Sequence, residues 1–536
     1  MTRLSRRALC SGAASLLFMA ATHQNALGKT NAPAEIIFSN GTIFSAEGKP
    51  VAGQSVVVRS GKIVYAGAPA GAERYRGDRT KVVDLQDKLL LPGFIDTHNH
   101  VYLRAEKLFY LTLPGGPRPI GPADEGVASM DSYREAIRAY RASHAGLRQI
   151  RGVGVDIAML MREAAARNKQ PRELLDELVS DIPAVVIAHS HHELWANSKA
   201  IALAGITKDT PTPVGGVILR DPNTGEPNGI FNEMGAHNLV LDMLPEPDLT
   251  VEQHRQAILS WQQLAAQRGV TGAIVPTHYR TTNFYIAMQS LSDEGALTAR
   301  YNVAQWVDEA RGIAQVPDLI ATRKRFPGGP LFKLNTAKIF ATAVPDAGIT
   351  MIWPQEELNR TMAALDKAGF RIYVHDIGPT ETYQKVVDAF AYVVQQNGRR
   401  DSRHILSHLF PLSAPTAPRF NALGLYADGH PAPKDFYDRG VPTTSSSDYP
   451  VWDFFPLPRI QAGVKEGVPL ATMLTSQTLR GAQALFAEKE TGSISAGKSA
   501  DLILLDRDIF TTPPENMDDA KVVMTMFQGK ILYDAQ

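Results

Sequence analysis

Two histidines separated by one residue, His98 and His100, follow an apolar run at 89–95 in the stretch "PGFIDTHNHVYL". In an extended backbone, side chains two residues apart point to the same side. Both imidazoles can therefore reach one point, as a divalent metal ion requires of its ligands. Because such a pair also fits two surface or core histidines, the interpretation depends on the rest of the chain.

Other apolar runs also end in a residue that can bind a metal. "RIYVH" ends in His375, "HILSH" in His408 and "GVPTTSSSD" in Asp448, and Lys338 lies inside the β-type run "AKIFATA". The intervals between these residues each match about one strand–helix unit. Since the carboxyl ends of the strands converge at the mouth of a (β/α) barrel, the pattern predicts one metal centre assembled from several strands.

Short β-type runs alternate with helical stretches over residues 92–487. This alternation predicts an α/β fold with a (β/α)8, TIM-like barrel that carries the hydrolase site. We expect a helix over 354–369 and interpret the more helical stretch at about 104–181 as an insertion. The runs expected to form barrel strands are 184–189, 272–276, 337–341, 371–375 and 404–408.

Both ends of the chain are rich in β-type residues, at 34–91 and at 488–536. Asn40-Gly41 and Ser60-Gly61 separate β-type runs in the way that hairpin turns do. The two segments together predict a small β-sandwich module built from both chain ends.

The composition limits the partners and cofactors. Lys+Arg and Asp+Glu are both 55, so the formal net charge is zero, and the basic excess of a nucleic-acid-binding protein is missing. The single cysteine, Cys10, allows no internal disulfide and no cysteine-based metal site. Any metal must therefore be bound by His, Asp, Glu or a modified side chain. We expect a small-molecule substrate, no nucleic acid and no organic cofactor; the oligomeric state stays open, a homodimer included.

Residues 1–28 have the three-part layout of an export signal: a basic start, an apolar stretch at 8–21, and small residues at Ala26 and Gly28. Arg6-Arg7 and their neighbours resemble the twin-arginine signal. We therefore expect export to the periplasm with cleavage after Gly28; an uncleaved basic N-terminal anchor is the alternative. No other stretch of the sequence is long and apolar enough for a stable membrane span.

In order along the chain, several motifs resemble the amidohydrolase superfamily, specifically the branch related to N-substituted formamide deformylase (amidohydrolase family 3). The resemblance covers the chain from about residue 35 to residue 536. The motifs that carry it are "LPGFIDTHNH", "HHELWANSKA" (191–200), "GEPNGIFNE" (225–233), "VHDIG" (374–378), "SSDYPV" (446–451) and "GSISAGKSADLILLD" (492–506).

The resemblance implies one or two divalent metal ions per chain, usually zinc. His98 and His100 would bind the more buried ion together with Asp448, and His375 and His408 would bind the second. A Lys338 carboxylated on its amine would bridge the two ions, because a carbamate is an anionic oxygen donor whereas an ammonium group has no lone pair to donate. Asp448 would also be the catalytic general base and acid.

Other residues are candidates for contact with the substrate. His192 matches a residue of the branch thought to face the substrate, which makes it a second catalytic candidate; a structural histidine is the alternative. Glu233, Tyr449 and Trp452 could line the substrate pocket, although packing explains them equally well. The remaining histidines are expected at surface or structural positions: His144, His237, His254, His278, His404 and His430.

These patterns predict an exported, metal-dependent amidohydrolase that cleaves an amide-type C–N bond of a small molecule with a metal-activated hydroxide. The same scaffold could act as an esterase, a lactonase or a carbamate hydrolase, and the sequence does not separate these activities. The alternative from another class is a non-catalytic periplasmic binding protein, although Asp448 and the histidine ligands are all present.

Overall fold

The computed structural model describes residues 33–535 with gaps at 87, 116–126, 246–248, 278–280 and 344–348. The predicted export signal, the cleavage point after Gly28 and His278 lie outside the described residues. Three parts follow from the sheet topology: a barrel, a large insertion after its first strand, and a β module that joins the two chain ends.

A sheet of eight strands, parallel at every recorded pairing, forms the barrel and confirms the predicted TIM-like fold. Its strands are β1 (Phe94–Asp96), β2 (Val270–Pro276), β3 (Arg300–Trp306), β4 (Phe332–Phe340), β5 (Arg371–His375), β6 (Ile405–Ser407), β7 (Tyr426–Gly429) and β8 (Thr443–Ser445).

The ring is closed between β8 and β1 by hydrogen bonds just beyond the two strand ends. The amide of Asp448 donates to the carbonyl of His98 at 2.8 Å, and the amide of His100 donates to the carbonyl of Tyr449 at 2.9 Å. The Asp96 carboxylate accepts the amide of Ser447 at 3.0 Å. Asp96 therefore joins the two ends of the barrel and is a structural residue.

Helices cover the outside of the barrel. The helix predicted over 354–369 is observed at Gln355–Lys367 and is followed by Gly369 with φ 82°, a backbone conformation that glycine adopts without strain. The helices around the barrel are Val251–Gln267, Thr282–Asp293, Val316–Arg325, Gln355–Lys367, Thr380–Asn397, Ala417–Leu423, Lys434–Asp438, Leu457–Lys465, Leu470–Ser476 and Leu479–Ala484.

The insertion between β1 and β2 is a mixed α/β unit with its own six-stranded sheet and core. Its strands are Leu111–Thr112, Ile150–Val155, Ala184–Ala188, Glu193–Ala196, Val217–Arg220 and Pro227–Asn232. Its helices are Arg104–Phe109, Met130–Ser143, Ile157–Ala166, Pro171–Asp176, Ser198–Leu203 and Glu233–Leu241.

The prediction that 184–189 forms a barrel strand was therefore wrong, and the insertion extends well beyond the predicted 104–181. Ala184–Ala188 pairs with Ile150–Val155 and Glu193–Ala196 inside the insertion. The error has a physical cause: a strand with both faces covered is apolar throughout, whichever sheet it joins.

The β module combines strands from both chain ends in one eight-stranded sheet. Its first strand, Ile36–Ile43, bends at Asn40, so that residues 36–39 pair with Lys81–Asp84 and residues 42–43 with Leu89–Pro92. The bent sheet encloses its own apolar core. The strands are Ile36–Ile43, Val51–Arg59, Lys62–Gly67, Lys81–Asp84, Leu89–Pro92, Leu502–Leu505, Val522–Phe527 and Lys530–Asp534.

Within the part of the chain that the structure describes, no helix is both long enough and apolar enough to cross a membrane.

Candidate metal centre

The predicted ligands meet at the carboxyl end of the barrel. Five of them stand at or just past the end of a strand, and Lys338 lies near the end of β4. Each of these strands is largely buried, which fixes the direction in which its side chains point. The six residues are His98, His100, Lys338, His375, His408 and Asp448.

Asp448 is the centre of the first half of this site. Its Oδ1 lies 2.9 Å from Nε2 of His100 and 3.3 Å from Nε2 of His98. Its Oδ2 lies 4.0 Å from Nδ1 of His408. Ligand atoms of His98, His408 and Asp448 all lie within 4.8 Å of one another, a spacing that one metal ion can bridge.

The second half of the site contains buried nitrogen atoms that make no hydrogen bond with any described residue: Nε2 of His375, Nε2 of His408 and Nζ of Lys338. The rings of His375 and His408 are 4.3 Å apart, centroid to centroid. A buried polar atom without a partner costs free energy, on the order of 1–3 kcal/mol. Several such atoms together indicate that a cation completes the site, and the donor set of imidazoles, a carboxylate and an amine fits a divalent metal.

Burial sets the protonation of these groups. It holds the pKa of His98, His375 and His408 well below the usual value, so these imidazoles are in the neutral form that binds metals. Burial also lowers the pKa of Lys338 to about 7. For Asp448, burial alone would raise the pKa, but the hydrogen bond with His100 and nearby cationic groups lower it, which favours the carboxylate.

His430 supports one of the ligands, although the sequence analysis classed it as surface or structural by default. It follows β7 directly, so it belongs to the set of residues at strand ends. Its Nδ1 lies 2.9 Å from the carbonyl of Ser446, and its Nε2 lies 3.0 Å from Nδ1 of His408. The run "GLYADGH" could have revealed it, because this run also ends in a histidine.

The two hydrogen bonds of His430 determine the tautomer of His408. A carbonyl only accepts, so Nδ1 of a neutral His430 donates to Ser446 and its Nε2 must accept. The Nδ1 of His408 therefore carries the hydrogen, and its Nε2 keeps a free lone pair for the metal. Hydrogen bonding behind a ligand commonly orients it in this way.

Tyr373 has the same effect on His98. Its hydroxyl lies 3.0 Å from Nδ1 of His98, 3.1 Å from a carboxylate oxygen of Asp428 and 3.0 Å from the carbonyl of Thr97. The Asp428 carboxylate and the Thr97 carbonyl only accept, so the single hydroxyl hydrogen goes to one of them. The hydroxyl oxygen then accepts a hydrogen bond from Nδ1 of His98. The lone pair on Nε2 of His98 then faces Asp448 and the centre.

His192 and Glu233 form a pair at the wall of the same cavity. Nδ1 of His192 lies 3.0 Å and 3.1 Å from the two carboxylate oxygens of Glu233. Burial alone would lower the pKa of His192, but the Glu233 carboxylate outweighs it and raises the pKa to about 9. His192 is therefore protonated at neutral pH, and its ring centroid lies 5.5 Å from that of His375.

Five of the six candidate ligands, all except His98, line a cavity of about 420 Å³ together with this pair. Ser190, Phe340 and Val451 also belong to its lining. Tyr449 and Trp452, predicted to contact substrate, are not among its lining residues. Tyr449 is buried against Phe454, and Trp452 packs on His430 with ring centroids 4.7 Å apart.

Comparison with known proteins agrees with this architecture. The model of the amidohydrolase family matches residues 81–533. The chain is 26% identical to "Protein LONG AFTER FAR-RED 3" of Arabidopsis thaliana, over 93% of this chain and 92% of that protein. It is 23% identical to N-substituted formamide deformylase of Arthrobacter pascens, over 93% and 98%.

Among solved structures, an uncharacterised metal-dependent hydrolase from Pyrococcus furiosus superposes with a TM-score of 0.62 at 20% identity. The alignment covers 88% of this chain and 99% of that one. At this identity the likeness establishes the shared fold.

Proposed function

Because the chain belongs to the amidohydrolase family, we propose that it hydrolyses an amide-type bond of a small molecule at the site around Asp448. It is a hydrolase that acts on C–N bonds and uses a divalent metal. The observation that carries the proposal is the meeting of six predicted ligands around Asp448, five of which line one cavity. Nε2 of His375, Nε2 of His408 and Nζ of Lys338 are buried there without a hydrogen bond to any described residue.

We propose two metal ions, zinc in both positions, with His98, His100 and Asp448 holding one and His375 and His408 the other. When bound, such ions polarise a carbonyl and lower the pKa of water, so that hydroxide is available at neutral pH. Lys338 would bridge them as a carbamate, formed when its neutral amine adds carbon dioxide and releases a proton. Complete burial and a lowered pKa both favour the neutral amine.

Asp448 is the proposed base and acid. Its carboxylate is ionised and lies at the centre of the site, where it can accept the proton of the attacking water and deliver it to the leaving nitrogen. His192 is the second proposed catalytic residue: as an imidazolium it can donate a hydrogen bond to the carbonyl oxygen as negative charge develops there. Glu233 keeps that imidazole charged and oriented.

The test combines elemental analysis of metal content with hydrolysis assays on wild type and on Asp448→Asn. N-substituted formamides are the first substrates to assay, because the relative from Arthrobacter pascens is named for them. We expect about two metals per wild-type chain, and a fall in amide kcat of at least about 10³-fold in Asp448→Asn, which loses the proton carrier.

The four alternatives give distinct results in these assays. A metal-loaded chain that cleaves matched esters, lactones or carbamates but no amide would be an esterase, a lactonase or a carbamate hydrolase. A chain without metal and without turnover would support the non-catalytic binding protein.

We further propose export through the twin-arginine-type signal, since residues 1–28 have that layout. The test fuses residues 1–35 to a reporter. Export should fail when Arg6 and Arg7 are both replaced by Lys, and unchanged export would contradict the proposal.

A further inference from the structure

A second cavity, of about 690 Å³, lies beside the metal cavity; we call it the insertion pocket. Three residues line both spaces: Leu103, His191 and Met234. These shared residues make the two cavities direct neighbours, so a tail that leaves the metal cavity beside Leu103 would meet the insertion pocket.

The insertion supplies much of the pocket wall. Val185 and Ile187 come from the insertion strand Ala184–Ala188, and Met234 and Leu241 come from the helix Glu233–Leu241. The barrel side contributes Tyr102 and Leu103. The lining is thus mostly apolar, whereas the metal cavity is lined largely by imidazole, carboxylate and amine groups.

The described lining of the insertion pocket contains ionisable groups of both signs. Glu106 and Arg151 are opposite in sign. Burial lowers the pKa of His191 well below its usual value and that of His237 to about 4, which leaves both imidazoles neutral at pH 7. A charged ligand group placed among the apolar side chains of this lining would lose its hydration, which costs free energy.

We propose that the insertion pocket binds an uncharged, largely hydrocarbon substituent of the substrate, so that the preferred substrates are amides with a polar reacting end and a neutral apolar tail. This inference rests on the proposed function for the position of the reacting end.

The experiment measures binding of simple alcohols by calorimetry, which needs no hydrolysis. The probes are 1-propanol, 1-butanol and 1-hexanol, with hexanoate as the charged analogue, added to the metal-loaded full-length protein. Affinity should rise about fourfold per added methylene, so roughly 50-fold from 1-propanol to 1-hexanol. Hexanoate should bind at least about tenfold more weakly than 1-hexanol to wild type.

Two variants locate the binding site. Leu241→Trp fills the pocket and should weaken 1-hexanol binding at least about tenfold. Ile187→Ala enlarges it and should shift the preference to longer alcohols, which gives an independent answer if the larger side chain disturbs folding. Leu203→Trp is the matched control, because Leu203 lies in the same insertion and is 42% exposed.

Affinity that does not depend on chain length would overturn the proposal, as would 1-hexanol binding that neither Leu241→Trp nor Ile187→Ala changes. If the alcohols bind as expected but no amide is cleaved, the proposed function fails while the pocket assignment stands. If amides are cleaved and the alcohols show no chain-length effect, the pocket assignment fails alone.

Discussion

Two histidines at opposite ends of β6 differ in how many of their ring nitrogens have a hydrogen-bond partner among the described residues. His404 precedes the strand; its Nδ1 accepts the amide of Ile372 at 3.0 Å, and its Nε2 lies 3.0 Å from the carboxylate of Asp366. His408 follows the strand; its Nδ1 pairs with His430, and its Nε2 has no partner among the described residues. Both are buried, so burial alone does not distinguish a structural histidine from a metal ligand.

The surroundings of His404 are saturated with hydrogen bonds. The Asp366 carboxylate also accepts from Arg400 at 2.8 Å, from Ser402 at 3.0 Å and from Asn397 at 2.8 Å. Both ring nitrogens of His404 are therefore engaged, and this histidine keeps no lone pair for a cation. The comparison teaches that an unsatisfied buried nitrogen, rather than a buried histidine as such, indicates a ligand.

Replacing each of these two histidines by alanine tests the comparison most strongly. His408→Ala should lose at least one metal ion and lower amide kcat about 10³-fold or more, because a ligand is removed. His404→Ala should keep its metal but lose about 2–4 kcal/mol of unfolding free energy, since Asp366 and the Ile372 amide lose their partner. Elemental analysis, kinetics and urea denaturation measure these quantities; equal metal loss in both variants would remove the distinction.

Lys338 extends the comparison to an amine without a partner. Lys338→Met keeps the apolar stem and removes the nitrogen, so metal content should fall by about one ion per chain and kcat by about 10²-fold or more. Adding ¹³C-labelled bicarbonate to wild type should produce a carbamate signal in the ¹³C spectrum. A variant that retains both metals would show that Lys338 is not a bridging ligand.

His430 tests whether the hydrogen bond behind His408 affects metal binding. His430→Phe removes the acceptor for Nδ1 of His408, and metal affinity should fall about 10- to 100-fold, as for other residues that support ligands. His430→Gln restores an acceptor oxygen and should recover most of that loss. A chelator competition titration measures both; equal affinities in the two variants would assign His430 a packing role only.

Asp366 gives the smallest effect and concerns stability alone. Burial would raise its pKa, but hydrogen bonds from His404, Arg400 and Asn397 lower it well below the usual value. A lowered folded-state pKa adds stability above the unfolded pKa of about 4, and this is lost as the pH falls below that value. Wild type should therefore lose about 1 kcal/mol more than Asp366→Asn between pH 6 and pH 3. Urea denaturation at both pH values measures the unfolding free energy. Equal losses in wild type and Asp366→Asn would contradict this assignment.

Four of the candidate metal ligands could be predicted because each stands at the end of an apolar run. In a parallel barrel the carboxyl ends of all strands lie at the same mouth. His98, His375, His408 and Asp448 could therefore be placed together before any distance was known. The same pattern places His430, which follows β7 directly, at this mouth, although the short helix Ala417–Leu423 makes its interval from His408 shorter than the others.

The assignment of Ala184–Ala188 failed for a different reason. An apolar run predicts a buried strand but does not identify the strands beside it, and hydrogen-bond partners far along the chain decide which sheet it joins. The size of the insertion and the insertion pocket both depended on that pairing.

The sequence by itself determined the fold class, the chemistry of the ligands and the absence of any cysteine-based site, because these depend on residue types and on local periodicity. Only the tertiary structure decided which histidines keep a free lone pair, which residues hold His192 charged, and where an apolar tail can bind. Those properties depend on contacts between residues far apart in the chain, such as His192 with Glu233 and His408 with His430, and such contacts exist only once the chain has folded.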